Sequence, residues 1–69
     1  MVECYSGREY AEQPRRFFWE GAWRTVTQIL AERRLPEGKQ FVVAEEEGNS
    51  FVLTYEIDGD HWTIRPSEG

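Results

Sequence analysis

From residue 51 to 57 every second position is apolar: Phe51, Leu53, Tyr55 and Ile57 alternate with Val52, Thr54 and Glu56. A period of two belongs to an extended chain with one buried face, so the spacing predicts a strand. The alternation returns downstream, where Trp62 and Ile64 stand between His61, Thr63 and Arg65. Asp58-Gly59-Asp60 separates the two runs, and that composition favours a tight hairpin turn. Two registers are open. A loop at Gly59-Asp60 sets Ile57 opposite Trp62 and Tyr55 opposite Ile64; a loop at Asp58-Gly59 sets Tyr55 opposite Trp62. Each places apolar against apolar.

Upstream, Phe41 and Val43 alternate with Gln40, Val42 and Ala44, and Glu45-Glu46-Glu47-Gly48-Asn49 separates them from Phe51. A three-residue loop, Glu46-Glu47-Gly48, with Gly48 as its left-handed residue, pairs Val43 with Phe51 and Phe41 with Leu53. Residues 39–65 therefore read as a three-stranded meander. Its inner face carries Phe41, Val43, Phe51, Leu53, Tyr55, Ile57, Trp62 and Ile64. Val42, Ala44 and Val52 fall on the outer face, where a curled sheet either covers them or leaves an apolar patch.

The first half is less regular. Pro14 closes a polar opening, and Phe17-Phe18-Trp19 before Glu20-Gly21 reads as a short strand and turn, with Phe17 and Trp19 inward and Phe18 outward. Residues 22–34 fit two descriptions. Trp23, Val26 or Thr27, and Leu30 recur at helical spacing, which admits one short helix, whereas the β-branched run Thr25-Val26-Thr27 favours a strand. The strand is preferred, and it needs a bulge, because Val26 and Ile29 are both apolar but of opposite parity. The expected fold is all-β: a curled antiparallel meander of about five strands, SH3-like or a partly open barrel.

Length and composition narrow this further. Sixty-nine residues, 39% of them hydrophobic and 30% charged, make one small folded domain spanning 1–69. Ten aromatics, three Trp, four Phe and three Tyr, supply the core that so short a chain otherwise lacks. The longest apolar run, Phe41-Val42-Val43-Ala44, is far too short to span a membrane. A lone Cys4 forms no internal disulfide and serves best as a small apolar filler. The expectation is a cytoplasmic protein without cofactor or membrane association, its oligomeric state open.

One resemblance covers nearly the whole chain. Cys4-Tyr5-Ser6-Gly7-Arg8-Glu9-Tyr10, Pro14…Phe17-x-Trp19-x-Gly21, Val26-Thr27-x-Ile29-Leu30, Phe41-x-Val43, Gly48, Phe51-x-Leu53-x-Tyr55 and Asp60-x-Trp62 follow one another in order. This order resembles a small uncharacterised bacterial domain family whose members occur alone or C-terminal to Y-family translesion polymerase-like chains. The matching residues are strand and turn positions, none catalytic. The resemblance implies a β fold and a link to DNA damage tolerance.

Candidate chemistry is sparse. His61 beside Asp58 and Asp60 has the residue types of a metal or acid/base site, but an EF-hand loop starting at Asp58 needs Gly and Glu where Thr63 and Gly69 stand. Turn chemistry accounts for these residues. The six glycines are scattered singly, so no phosphate-cradling loop is present, and no catalytic residue is assigned. Charge is more informative. Residues 1–14 sum to −2, 15–34 to +3, 35–43 to zero and 44–69 to −6, giving −5. The acidic turn Glu45-Glu46-Glu47 reads as a solvated face. The basic stretch interleaves Arg15, Arg16, Arg24, Arg33 and Arg34 with Phe18 and Trp23, and these seven residues are the candidate partner-binding set. They point first to a non-enzymatic module that binds another protein. The alternative is a nucleic-acid-associated accessory domain, since Arg and aromatics also build single-strand platforms. A net acidic chain lacks the usual basic footprint for that role.

Overall fold

The computed structural model describes residues 2–4 and 13–67. All regular structure in them is strand: β1 Val2–Cys4, β2 Pro14–Trp19, β3 Ala22–Leu35, β4 Gly38–Glu45, β5 Ser50–Glu56 and β6 His61–Pro66. Each strand pairs antiparallel with the next, in the spatial order β1-β2-β3-β4-β5-β6, forming a curled half-barrel. No helix long and apolar enough to cross a membrane occurs among the described residues.

Residues 22–34 are strand throughout, and β3 makes the curl. Its first residues pair with β2 (Thr25 with Arg16, Trp23 with Phe18), and from Val26 onward it pairs with β4 instead. Register shifts between Val26 and Gln28 and between Ile29 and Ala31 mark two bulges. An extra residue bends a strand and increases its twist. Val26 and Ile29, of opposite parity, both pack on the core as a result. The bend swings β1 and β2 over the concave face of the other strands, so that the Phe17 and Phe51 rings lie 5.0 Å apart and Trp19 meets Phe51 at 5.5 Å. Phe17, Phe41, Val43, Phe51 and Leu53 form the buried centre, with Val2, Trp19, Trp62 and Ile64 packed around it.

The turns follow their residues. Glu20 (φ 49°) and Gly21 (φ 84°) are both left-handed, the type I′ geometry whose twist suits a two-residue hairpin. Gly48 (φ 90°) closes the three-residue loop, with Glu45 N–H donating to Asn49 O at 2.9 Å. Val43 faces Phe51 and Phe41 faces Leu53, as the spacing predicts. Of the two registers open for the last hairpin, the structure adopts Tyr55 opposite Trp62.

Three details differ from the sequence reading. A sixth strand, β1, pairs along β2 ahead of the expected set. Ile57 is not a core residue: β5 ends at Glu56, and Ile57 opens the β5–β6 turn, its C=O accepting the Asp60 N–H at 3.1 Å, and is 61% exposed. Glu45 is not solvated but buried. Of the two alternatives for the outer-face residues, the curled sheet covers them: Val52 is buried, and Val42 and Ala44 are half-buried.

Candidate aromatic and arginine surface

The register of the first three strands sorts their side chains onto two faces. Phe17, Trp19 and Val2 turn to the core, so the intervening Arg16 and Phe18 of β2, with Glu3 of β1 and Trp23 of β3, share the outer face. Phe18 and Trp23 are directly opposite across the two-residue turn, and cross-strand partners on one face lie within contact distance. Their rings meet edge to face, 5.5 Å apart at 74°, the arrangement favoured by aromatic quadrupoles. Arg16, diagonal to Trp23, places its guanidinium carbon 4.5 Å from the indole centroid, well within cation–π range.

Glu3 completes the row. Its carboxylate accepts Arg16 Nε–H at 2.8 Å and Nη2–H at 3.1 Å, a two-pronged contact that fixes the plane of the guanidinium. The Arg16 hydrogen bond, opposed by desolvation and helped by the Arg16 and Arg15 charges, holds the Glu3 carboxyl below its ordinary value. The same hydrogen bond holds the Arg16 guanidinium above its own. Glu3, Arg16, Trp23 and Phe18 thus form a continuous, ordered line of contacts. Phe18 remains 42% and Trp23 38% exposed.

The other candidate residues are distributed differently. Arg15 is exposed on β2 beside this row. Arg24 belongs to the inner face: its Nη1 donates to the buried Glu45 at 3.0 Å, and its guanidinium carbon lies 5.6 Å from the Phe51 centroid. Its charge is engaged in the fold. Arg33 and Arg34 are exposed near the opposite end of β3, paired in register with Gln40 and Lys39, and share no surface with Trp23. Residue interleaving along the sequence did not distinguish these three environments, because strand parity and the β3 bulges decide them. Glu3 was missed altogether; its only signal is an acid on a three-residue strand whose existence depends on pairing with β2.

Among the described residues no group of three His, Cys, Asp or Glu side chains is placed to hold a metal ion. Asp60 Oδ1 instead accepts the Tyr55 hydroxyl at 2.7 Å, fastening the last turn to the core strand. A cleft of about 170 Å³ opens where β2 and β3 part, lined by Gln13, Pro14, Val26, Thr27, Gln28 and Ile29. Among the described residues that line it, none is titratable. No family model, curated protein or solved structure matches the chain.

Proposed function

We propose that the domain is a non-enzymatic interaction module that binds another protein through the outer face of β2 and β3, with Phe18, Trp23 and Arg16 at the centre of the contact. The observation that supports this reading is the exposed pair of aromatic rings held in place by Arg16 and Glu3. Exposed Trp, Phe and Arg are the residues that dominate protein interfaces, and a side chain already ordered loses less conformational freedom when a partner covers it.

The nucleic-acid alternative, to which the bacterial-family resemblance belongs, meets a specific obstacle in the same geometry. Arg16 lies over one face of Trp23 and is neutralised by Glu3. A nucleobase stacking on that face must first displace the guanidinium from both partners. The remaining field is unfavourable, with a net charge of −5.

The test is capture of a partner from lysate by the domain, with Phe18→Glu as the matched control, followed by titration of the purified pair across salt concentrations. Binding that is lost in Phe18→Glu and nearly indifferent to salt supports the protein interface. Saturable binding of a single-stranded oligonucleotide that weakens linearly in log–log terms with salt, and is lost in Arg15→Glu with Arg16→Glu, would replace it with the nucleic-acid reading.

A further inference from the structure

The second half of β3 has β4 along one edge, and among the described residues nothing pairs with the other. Which backbone groups lie on that open edge follows from two hydrogen bonds. Ile57 donates N–H to Glu37 O at 2.8 Å and Glu45 donates to Asn49 O at 2.9 Å. Both belong to the ladder in which Lys39 faces Tyr55 and Val43 faces Phe51. In an antiparallel pair, residues alternate in the side to which they turn their N–H and C=O. Odd-numbered residues of β4 therefore face β5, and even-numbered ones face β3. The pairs Ala31 with Val42, Arg33 with Gln40 and Leu35 with Gly38 then turn Ala31, Arg33 and Leu35 to β4. Glu32 and Arg34 are left presenting their backbone groups outward.

This stretch is suited to pairing. Residues 31–35 are free of bulges, and Glu32, Arg33 and Arg34 are exposed. None of the three side chains joins an ion pair among the described residues.

We propose that this edge pairs with the same edge of a second copy of the chain, antiparallel about a two-fold axis at Arg33. Residues that exchange hydrogen bonds across such an axis must both point outward, which leaves axes at Glu32, Arg33 or Arg34. An axis at Glu32 opposes two carboxylates and sets Arg34 against the bulge at Leu30. An axis at Arg34 opposes two guanidinium groups and sets Glu32 against Pro36, which has no N–H to give. An axis at Arg33 sets Glu32 opposite Arg34 twice, once on each side, so both hydrogen-bonded rungs also carry opposite charges. Ala31 then meets Leu35. The two Arg33 side chains meet on the opposite face, where their long stems let the charged ends diverge into water. The occupant is specified by charge complementarity: the Arg33 axis sets two pairs of opposite charges against one like pair, whereas each of the other axes opposes like charges with no opposite pair to offset them.

Sedimentation equilibrium from micromolar to millimolar protein tests this. The weight-average mass should rise from 8.2 kDa toward twice that value. Glu32→Arg alone and Arg34→Glu alone should each weaken self-association about tenfold or more, and the double reversal should restore it. Circular dichroism confirms that these exposed-site variants keep the fold. A mass that stays at 8.2 kDa throughout, single reversals without effect, or a double reversal that fails to restore association would each overturn the proposal.

Discussion

Arg24 Nη1 lies 3.0 Å from Glu45 Oε2, joining residues 21 positions apart. Arg24 stands on the part of β3 that belongs to the N-terminal hairpin, and Glu45 ends β4, so this contact fastens the curl of the sheet to the β4–β5 turn. The Glu45 side chain is wholly buried. Its other oxygen accepts the N–H groups of Glu47 at 2.8 Å and Asn49 at 3.0 Å, which defines the loop as well. A buried carboxylate is stable only when its hydrogen-bonding capacity is met.

The pH dependence of stability follows from that site. Burial pushes the Glu45 carboxyl up, but the Asn49 N–H, the Arg24 guanidinium and the Glu47 N–H outweigh it and hold the group below its ordinary 4.5. A depressed folded-state pKa stabilises the fold above the unfolded value, and the contribution is lost as pH falls through the folded one. Urea denaturation should therefore show stability declining below about pH 4.5. Glu45→Gln should cost about 2 kcal/mol at neutral pH, since it removes the buried partner of Arg24 and leaves only the exposed Glu47 carboxylate at 3.7 Å, and should flatten the acid limb. An acid limb as steep as the parent's would assign the titration elsewhere.

Gly38 and Gly48 should respond differently to alanine. A methyl at Gly38 overlaps the Tyr55 carbonyl oxygen and also crowds Glu56 Cα, both backbone atoms of the paired strand. Gly38→Ala should lower stability by more than about 2 kcal/mol, because the strands themselves must separate. Gly48 has open space around it and only its φ of +90° to defend, so Gly48→Ala should cost about 1 kcal/mol. Equal losses in thermal or urea midpoints would refute the distinction.

Core truncations should rank by burial. Phe17 is fully buried and bridges β2 to β5 through Phe51, so Phe17→Ala should cost about 3 to 5 kcal/mol. Trp62 is half-buried against Tyr55 at 5.2 Å and Phe41 at 6.1 Å. Trp62→Ala should cost less, about 2 to 3 kcal/mol. The reverse order in urea midpoints would show that β6, rather than β2, closes the core.

Phe18 and Trp23 should be coupled but dispensable for folding. A double-mutant cycle to alanine should return an interaction of about 1 kcal/mol, the range for an edge-to-face pair. Both single variants should remain folded at 25 °C. Zero coupling would mean that the rings do not hold one another in solution.

How much was legible beforehand depends on the range of the interaction responsible. The three-stranded meander, the Glu46-Gly48 loop and the need for a bulge near Val26 and Ile29 were all written in local alternation and turn composition, because strand parity and left-handed turn positions act over a few residues. The candidate surface was legible only as a composition. Phe18 and Trp23 come together because Glu20-Gly21 closes a two-residue turn, and Arg16 joins them by diagonal register. Burial of Glu45, engagement of Arg24 and the distant placement of Arg33 and Arg34 were decided by the tertiary structure alone. Each depends on where the bulged β3 changes partner, and a bend of that kind brings together residues whose local sequences, an acidic triplet and scattered arginines, look alike whether buried or exposed.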